Sequence, residues 1–270
     1  MNRPAWLGIV WIGSLASVIL FLSMNARALG DTDARKIMDG VYEQGSSYDT
    51  AMRAVFDIFD KDGSKTTKKF LLYRIGSPGD SKTLVRFTDP AEIRGVTLLS
   101  YNQKGASDQQ WLYIPATRRS RSVTPRELSE KFAGTDFTYE DVEERMLDNF
   151  AYRLLSEDEV IDGRKTYKVE AKPVDAGRSQ YKYVYYWVAR DVPVILHAEM
   201  YDQDGKLVRE IHASGLKKES GAWGARHVEM QSVQDKTRTV LTINEAKFDQ
   251  HFDEKLFTPD NLNNSPAIKH

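Results

Sequence analysis

The sequence predicts a mainly β protein built on a single curled antiparallel sheet of about eleven strands, covered by short helices. Three observations carry this. From residue 52 onward, runs of about 7 to 10 residues rich in Val, Thr, Phe, Tyr and Ile alternate with turn signals. Three of those turns carry Asp-Gly, at 62–63, 162–163 and 204–205, and glycine there supplies the positive φ that hairpins need. Nowhere does the chain alternate strands with helices in the way that builds a parallel sheet.

The elements follow in order. Residues 1–28 open with the basic start Met1-Asn2-Arg3. An uncharged stretch, WLGIVWIGSLASVILFL at 6–22, follows, and Ala26-Arg27-Ala28 offers small residues where a signal peptidase reads. A secretory leader cleaved after Ala28 is expected. An uncleaved anchor stays open, because the apolar run of about 18 residues counted from Ala5 could just span a bilayer. A lipid-modified start is excluded, since it needs a Cys and the chain has none. Residues 33–44 (DARKIMDGVYEQ) place Ile37, Val41 and Met38 on one helical face behind an acidic start, which predicts a short amphipathic helix.

Strand candidates are 53–61 with 68–75, 152–161 with 165–173, and 194–201 with 206–213, each pair flanking one Asp-Gly. Further runs are 83–88, 96–102, 110–115, 181–190, 225–234 and 238–248. The middle of the chain interrupts this meander. TRRSRSV at 117–123 is basic, PRELSEKF at 125–132 reads as one or two helical turns, and AGTDFTYEDVEERM at 133–146 is acidic with aromatic residues inside it. A sheet this long must curl or be covered, and the first helix and this central segment are the covers. No linker or composition break divides the mature chain, so residues 29–270 are expected to form one domain.

Composition removes several functions. The chain has 270 residues with 38 Lys and Arg against 39 Asp and Glu. A near-neutral surface cannot supply the positive field of sequence-tolerant nucleic-acid binding. Without cysteine, disulfide frameworks, thiolate metal sites and thiol nucleophiles are excluded. The five histidines, at 197, 212, 227, 251 and 270, form no H-E-x-x-H and no close His–carboxylate pair on a recognisable helix, so neither a metal nor a cofactor is expected. The stretches beginning at Asp60 and Asp202 faintly resemble calcium loops, but their glycine comes at the fourth position rather than the sixth, and hairpin turns explain both. Glu140, Asp141, Glu143 and Glu144 could contain an acid/base pair or be solvated charge at a helix start. Arg118, Arg119, Arg121 and Arg126 are the densest cationic group. They fit either a solvated edge strand or a contact for an acidic partner.

The aromatic residues carry the positive signal. In YKYVYYW (181–187) one face holds Tyr181, Tyr183, Tyr185 and Trp187, and the other holds Val184, Tyr186 and, one step on, Val188. Residues 110–115 likewise set Trp111 and Tyr113 against Leu112 and Ile114. A sheet with one wet face alternates apolar and polar residues. Strands apolar on both faces predict a curved sheet covered on its concave side, where a lipid-accommodating hollow fits.

VTLLSYNQK from Val96, QQWLYIPATRR at 109–119 and GTDFTYED at 134–141 resemble the bacterial outer-membrane lipoprotein-sorting proteins of the LolA/LolB-like superfamily. The resemblance spans nearly all of the mature chain in layout. It implies an incomplete β-barrel wrapped over a few helices and a non-enzymatic periplasmic carrier of lipoprotein or lipid cargo, in transient contact with a membrane. It also implies an association with an RND-type export permease of the inner membrane. The residues expected to line the lipid hollow are Trp111, Tyr113, Phe132, Phe137, Tyr139, Tyr183, Tyr185 and Trp187. Arg118, Arg119 and Arg121 form the expected partner surface.

Overall fold

The computed structural model of the protein describes residues 31–46, 49–104 and 109–263. The expected leader, 1–28, lies outside them. Helix α1 (Asp31–Ser46) comes first. Strands β1 (Thr50–Phe59), β2 (Lys65–Ser77), β3 (Asp80–Asp89), β4 (Thr97–Gln103), β5 (Gln109–Ile114) and β6 (Arg119–Ser122) then follow one another as antiparallel neighbours. After a crossover come β7 (Phe150–Ile161), β8 (Arg164–Pro173), β9 (Tyr183–Ala189), β10 (Ile195–Tyr201), β11 (Leu207–Glu219), β12 (Ala222–Ser232) and β13 (Thr237–Phe248), and β13 pairs with β1. All belong to one 13-stranded sheet ordered β6-β5-β4-β3-β2-β1-β13-β12-β11-β10-β9-β8-β7, open at β6 and β7.

Every expected strand run is present. The twelve runs exceed the expected count of about eleven by one, and the thirteenth strand is β6, in the basic stretch that fits a solvated edge strand or a partner contact. Its four exposed residues carry no apolar alternation, and pairing with Trp111 to Ile114 of β5 is what makes it a strand. Of the Asp-Gly turns, 162–163 joins its strands by two residues alone. Both have positive φ, +50° at Asp162 and +77° at Gly163, the geometry whose twist matches paired strands. The end of β2 makes a stricter demand. Gly76 has φ +92°, and a Cβ there would lie 2.3 Å from the Asp80 carbonyl oxygen. Gly76→Ala is expected to lower stability by more than about 1 kcal/mol, measurable by urea unfolding.

Topology explains the interruption of the meander. The chain walks outward from β1 to β6 at one edge and must resume at β7, the opposite edge. Residues 123–149 make that journey across the concave face and so act as a strap over it. Three short 3-10 turns (Pro125–Ser129, Phe132–Gly134 and Leu147–Asn149) and one antiparallel bridge between Lys131 and Thr138 are the regular structure of the strap. The first is capped by Glu127, whose carboxylate accepts from the Thr124 N–H at 2.8 Å and hydroxyl at 2.9 Å.

Two apolar layers flank the sheet. On the concave side, Phe56, Phe70, Phe87, Leu98, Val169 and Val184 pack beneath α1, which contributes Ala34, Met38, Ile37 and Val41, and beneath the strap. On the opposite side, β1 to β5 are covered by the C-terminal segment 249–263, where Phe257 and Leu262 bury against Tyr73, Leu84 and Leu99. Each fully buried side chain of this kind contributes roughly 1.5–3 kcal/mol.

Candidate functional site

The concave interior is assembled by strand alternation from one side and by the strap from the other. Phe132 stands between Phe87, with ring centroids 5.6 Å apart, and Tyr139, at 5.5 Å. Phe137 reaches Phe56 at 5.7 Å, and Phe56 stacks on Phe70 at 4.6 Å. The strap can present Phe132 and Phe137 to the same interior because it doubles back between them. Ala133 and Gly134 both have positive φ, and the Phe132 N–H donates to the Phe137 carbonyl at 2.8 Å.

The eight residues expected to line one hollow do not share one face. Phe132, Phe137 and Tyr139 lie in the concave interior. Trp111 and Tyr113 lie on the other side of β5, against the C-terminal segment, while Leu112 and Ile114 take the concave side. On β9 the concave residues are Val184, Tyr186 and Val188. Tyr183, Tyr185 and Trp187 point the other way, where Tyr183 stacks on Tyr201 at 4.7 Å and Trp187 lies 4.7 Å from His197. The period of two that makes such strands apolar on both sides also parts their aromatic residues. Tyr181 departs from the expected alternation: it precedes β9 and is buried in the concave interior.

The interior also contains polar anchors, drawn from the run that fits either an acid/base pair or solvated charge. Glu140, Asp141 and Glu144 are neither a helix start nor free in water. Glu140 accepts from the Ser179 hydroxyl and from the Gln180 N–H at 2.9 Å. Asp141 accepts from the Thr138 N–H and hydroxyl and from Tyr181 Oη, all within 2.9 Å. Glu144 accepts from Arg74, from Ser81 at 2.6 Å and from Tyr42. Between them, Arg145 is caged over the rings of Phe150, Tyr186 and Tyr181 at 5.2, 5.9 and 6.0 Å. Burial opposes its charge, but Tyr186, Glu140, Asp141 and Tyr181 outweigh that and hold the cation firmly protonated. The aromatic spacing in GTDFTYED marks the strap as buried; the carboxylates beside it carry no such mark, because a charged side chain in a local run reads the same whether paired or solvated.

Arg119 and Arg121 lie on the edge strand β6, and Arg118 sits in the turn before it at φ +52°. Arg121 ion-pairs with Glu127 at 2.8 Å. That guanidinium, with the Thr124 N–H and hydroxyl, holds Glu127 down to about 2. Arg118 and Arg121 border a groove of about 920 Å³ whose walls include Trp111, Tyr113, Pro259 and Asp260. Among the described residues no helix is long and apolar enough to cross a membrane.

An open antiparallel sheet curled around an apolar concave face, closed by a helix and a strap, is the LolA/LolB-like fold. Three solved structures share it. A Vibrio parahaemolyticus domain named for outer membrane lipoprotein sorting superposes with a TM-score of 0.82 at 23% identity, over 87% of this chain and 100% of that one. A DUF1329 family protein from Desulfovibrio piger gives 0.78 at 26% identity, over 84% and 95%. A LolA superfamily protein from Nitrosomonas europaea gives 0.68 at 19% identity, over 83% and 97%. No curated protein matches the sequence. Residues 79–264 match a family model described as "Uncharacterized protein", and the chain belongs to that family.

Proposed function

We propose that the protein is a non-enzymatic periplasmic carrier that holds the acyl chains of a lipoprotein or lipid against the concave face of its sheet for transfer towards the outer membrane. The observation that supports this most is the nature of the cover. A wide apolar face is closed by one helix and a strap, not by a second sheet. The strap shares almost no backbone ladder with the sheet and is fastened by side chains such as Glu144 and Asp136. Opening it breaks no sheet ladder, only polar contacts and the packing of Phe132, Phe137 and Tyr139, and exposes Phe56, Phe70, Phe87 and Val184 together, a surface suited to acyl chains. The neighbour named for lipoprotein sorting and the LolA superfamily neighbour favour the same reading. The leader at 1–28 would deliver the chain across the inner membrane, where an RND-type permease is the partner the resemblance suggests.

Native mass spectrometry with lipid extraction, on protein purified from a bacterial periplasm, tests the proposal. A bound species of lipid mass, displaced by a fluorescent fatty acid, is the expected result. Protein that emerges empty and takes up neither fatty acid nor lipidated peptide would remove the carrier reading.

The exposed edge strand β6 favours a second reading, a docking subunit for a permease. Reversing charge at Arg118, Arg119 and Arg121 should then abolish partner capture and leave lipid uptake unchanged. Capture that survives the reversal would count against it.

A further inference from the structure

On the convex face, away from the strap, His197 and Glu199 project from the same side of β10, two residues apart. Glu210 stands directly opposite Glu199 on β11. One ligand atom from each of the three lies within 4.8 Å of the others. We propose that His197, Glu199 and Glu210 form a binding site for a divalent transition-metal cation of the zinc type.

The imidazole is set for this task. His197 Nδ1 lies 2.7 Å from the Ile211 carbonyl oxygen, which accepts only, so Nδ1 carries a hydrogen and Nε2 is the nitrogen left to coordinate a metal. Nε2 is the atom 3.8 Å from Glu199 Oε1. The other Glu199 oxygen accepts from Tyr201 Oη at 2.8 Å, which fixes the carboxylate as outer hydrogen bonds do around bound metals. Trp187 on the neighbouring strand walls one side, and the side chains of His197 and Glu199 keep only 20% and 23% of their exposure.

Electrostatics points the same way. Like charges directly opposed across two strands destabilise the pair. Among the described residues, no lysine or arginine ion-pairs with either carboxylate, and the Glu210 carboxylate accepts no hydrogen bond. Nearby cations are engaged elsewhere: Lys168 lies over Trp187 and 3.8 Å from Glu159. His212, the register partner of His197, ion-pairs with Asp162 at 2.9 Å. A divalent ion would relieve the facing carboxylates and complete a set of one nitrogen, two oxygens and water, a combination zinc accepts. Tetrahedral ligands about 2.1 Å from zinc lie roughly 3.4 Å apart, so the three atoms need to close by only about an ångström.

The test uses the purified protein, without a histidine tag and stripped of metal with EDTA, titrated with zinc chloride by calorimetry. One equivalent should bind with micromolar or tighter affinity. His197→Ala and Glu210→Gln should each weaken binding at least tenfold, and His212→Ala should leave it unchanged. Glu210→Gln removes one of two opposed charges, so its metal-free form should melt no lower than wild type, which keeps the comparison readable if His197→Ala folds poorly. X-ray absorption of the zinc-loaded protein should show mixed nitrogen and oxygen ligands. No saturable binding, or binding untouched by both substitutions, overturns the proposal. Fatty-acid uptake reads the concave face independently, so either result leaves the carrier proposal to its own test.

Discussion

Asp136→Ala should unfold at markedly lower urea concentration than wild type, with a loss of about 2–5 kcal/mol. The carboxylate is buried beneath the strap, its side chain only 2% exposed. Oδ1 accepts from Lys131 at 3.2 Å and from the Thr237 hydroxyl, and Oδ2 accepts from the Thr239 hydroxyl at 2.7 Å. The backbone of the same residue is held as well: its N–H donates to Thr239 Oγ1 at 2.9 Å, and its carbonyl accepts from Arg209 Nε at 3.1 Å. Truncation leaves two threonine hydroxyls on β13 without acceptors, while Lys131, partly exposed, keeps its ion pair with Asp235 at 2.9 Å. Each unsatisfied buried group costs about 1–3 kcal/mol. Asp136→Asn keeps one acceptor oxygen and should lose less. Urea unfolding followed by tryptophan fluorescence checks both variants. A loss under about 1 kcal/mol for Asp136→Ala would mean that the strap is not pinned to the sheet at this point.

The contrast between Asp136 and the strands shows what the sequence could reveal. Residues 53–61 or 238–248 announce themselves because burying an extended segment requires branched and aromatic side chains at alternate positions, and that requirement is local. The two-faced pattern of β5 and β9 indicated a cover on the concave side; the second cover, the C-terminal segment over β1 to β5, lay outside that reading. The pattern could not say which residues face which cover, because a period of two assigns Trp111 and Leu112 to opposite faces without naming either as concave. The C-terminal segment that packs beside Trp111 and Tyr113 lies about 140 residues further along the chain, joined to β6 by the Ser120 hydroxyl donating to the Pro259 carbonyl at 3.0 Å. The strap's polar anchors were illegible for the same reason: Asp136 meets Thr239, and Glu144 meets Arg74, only after the chain has crossed from one sheet edge to the other. His197 and Glu199 did leave a trace, the His-x-Glu spacing that puts two side chains on one face of a strand. A search confined to helical spacings passes over it, and Glu210 joins them only through strand register.

Glu144 supplies the second large effect and makes it pH-dependent. Burial opposes its charge, yet hydrogen bonding and attraction from Arg74, with hydrogen bonds from Ser81 and Tyr42, prevail and leave its pKa below the ordinary glutamate value. The pair is well shielded, with side-chain exposures of 10% for Arg74 and 14% for Glu144. A carboxyl whose folded pKa lies below its unfolded value contributes stability that is complete above the unfolded value, about 4.3, and is lost as pH falls through the folded one. Glu144→Gln should therefore cost about 3 kcal/mol near neutrality, as expected for removing one partner of a buried ion pair. The gap between wild type and variant should close progressively below about pH 4, because acid neutralises the wild-type side chain as the substitution does. Paired urea titrations at pH 7 and pH 3 measure both numbers. A gap that stays constant across that range would show that the Glu144 contacts act through shape alone. Because Glu144 fastens the strap to β2, β3 and α1 at once, through Arg74, Ser81 and Tyr42, its neutralisation should also speed fatty-acid entry in the Gln variant at neutral pH, while the sheet keeps its circular dichroism spectrum. Faster entry with an unchanged sheet would identify the strap as the part of the molecule that moves. Unchanged entry would place the route to the concave face elsewhere, on the side guarded by α1.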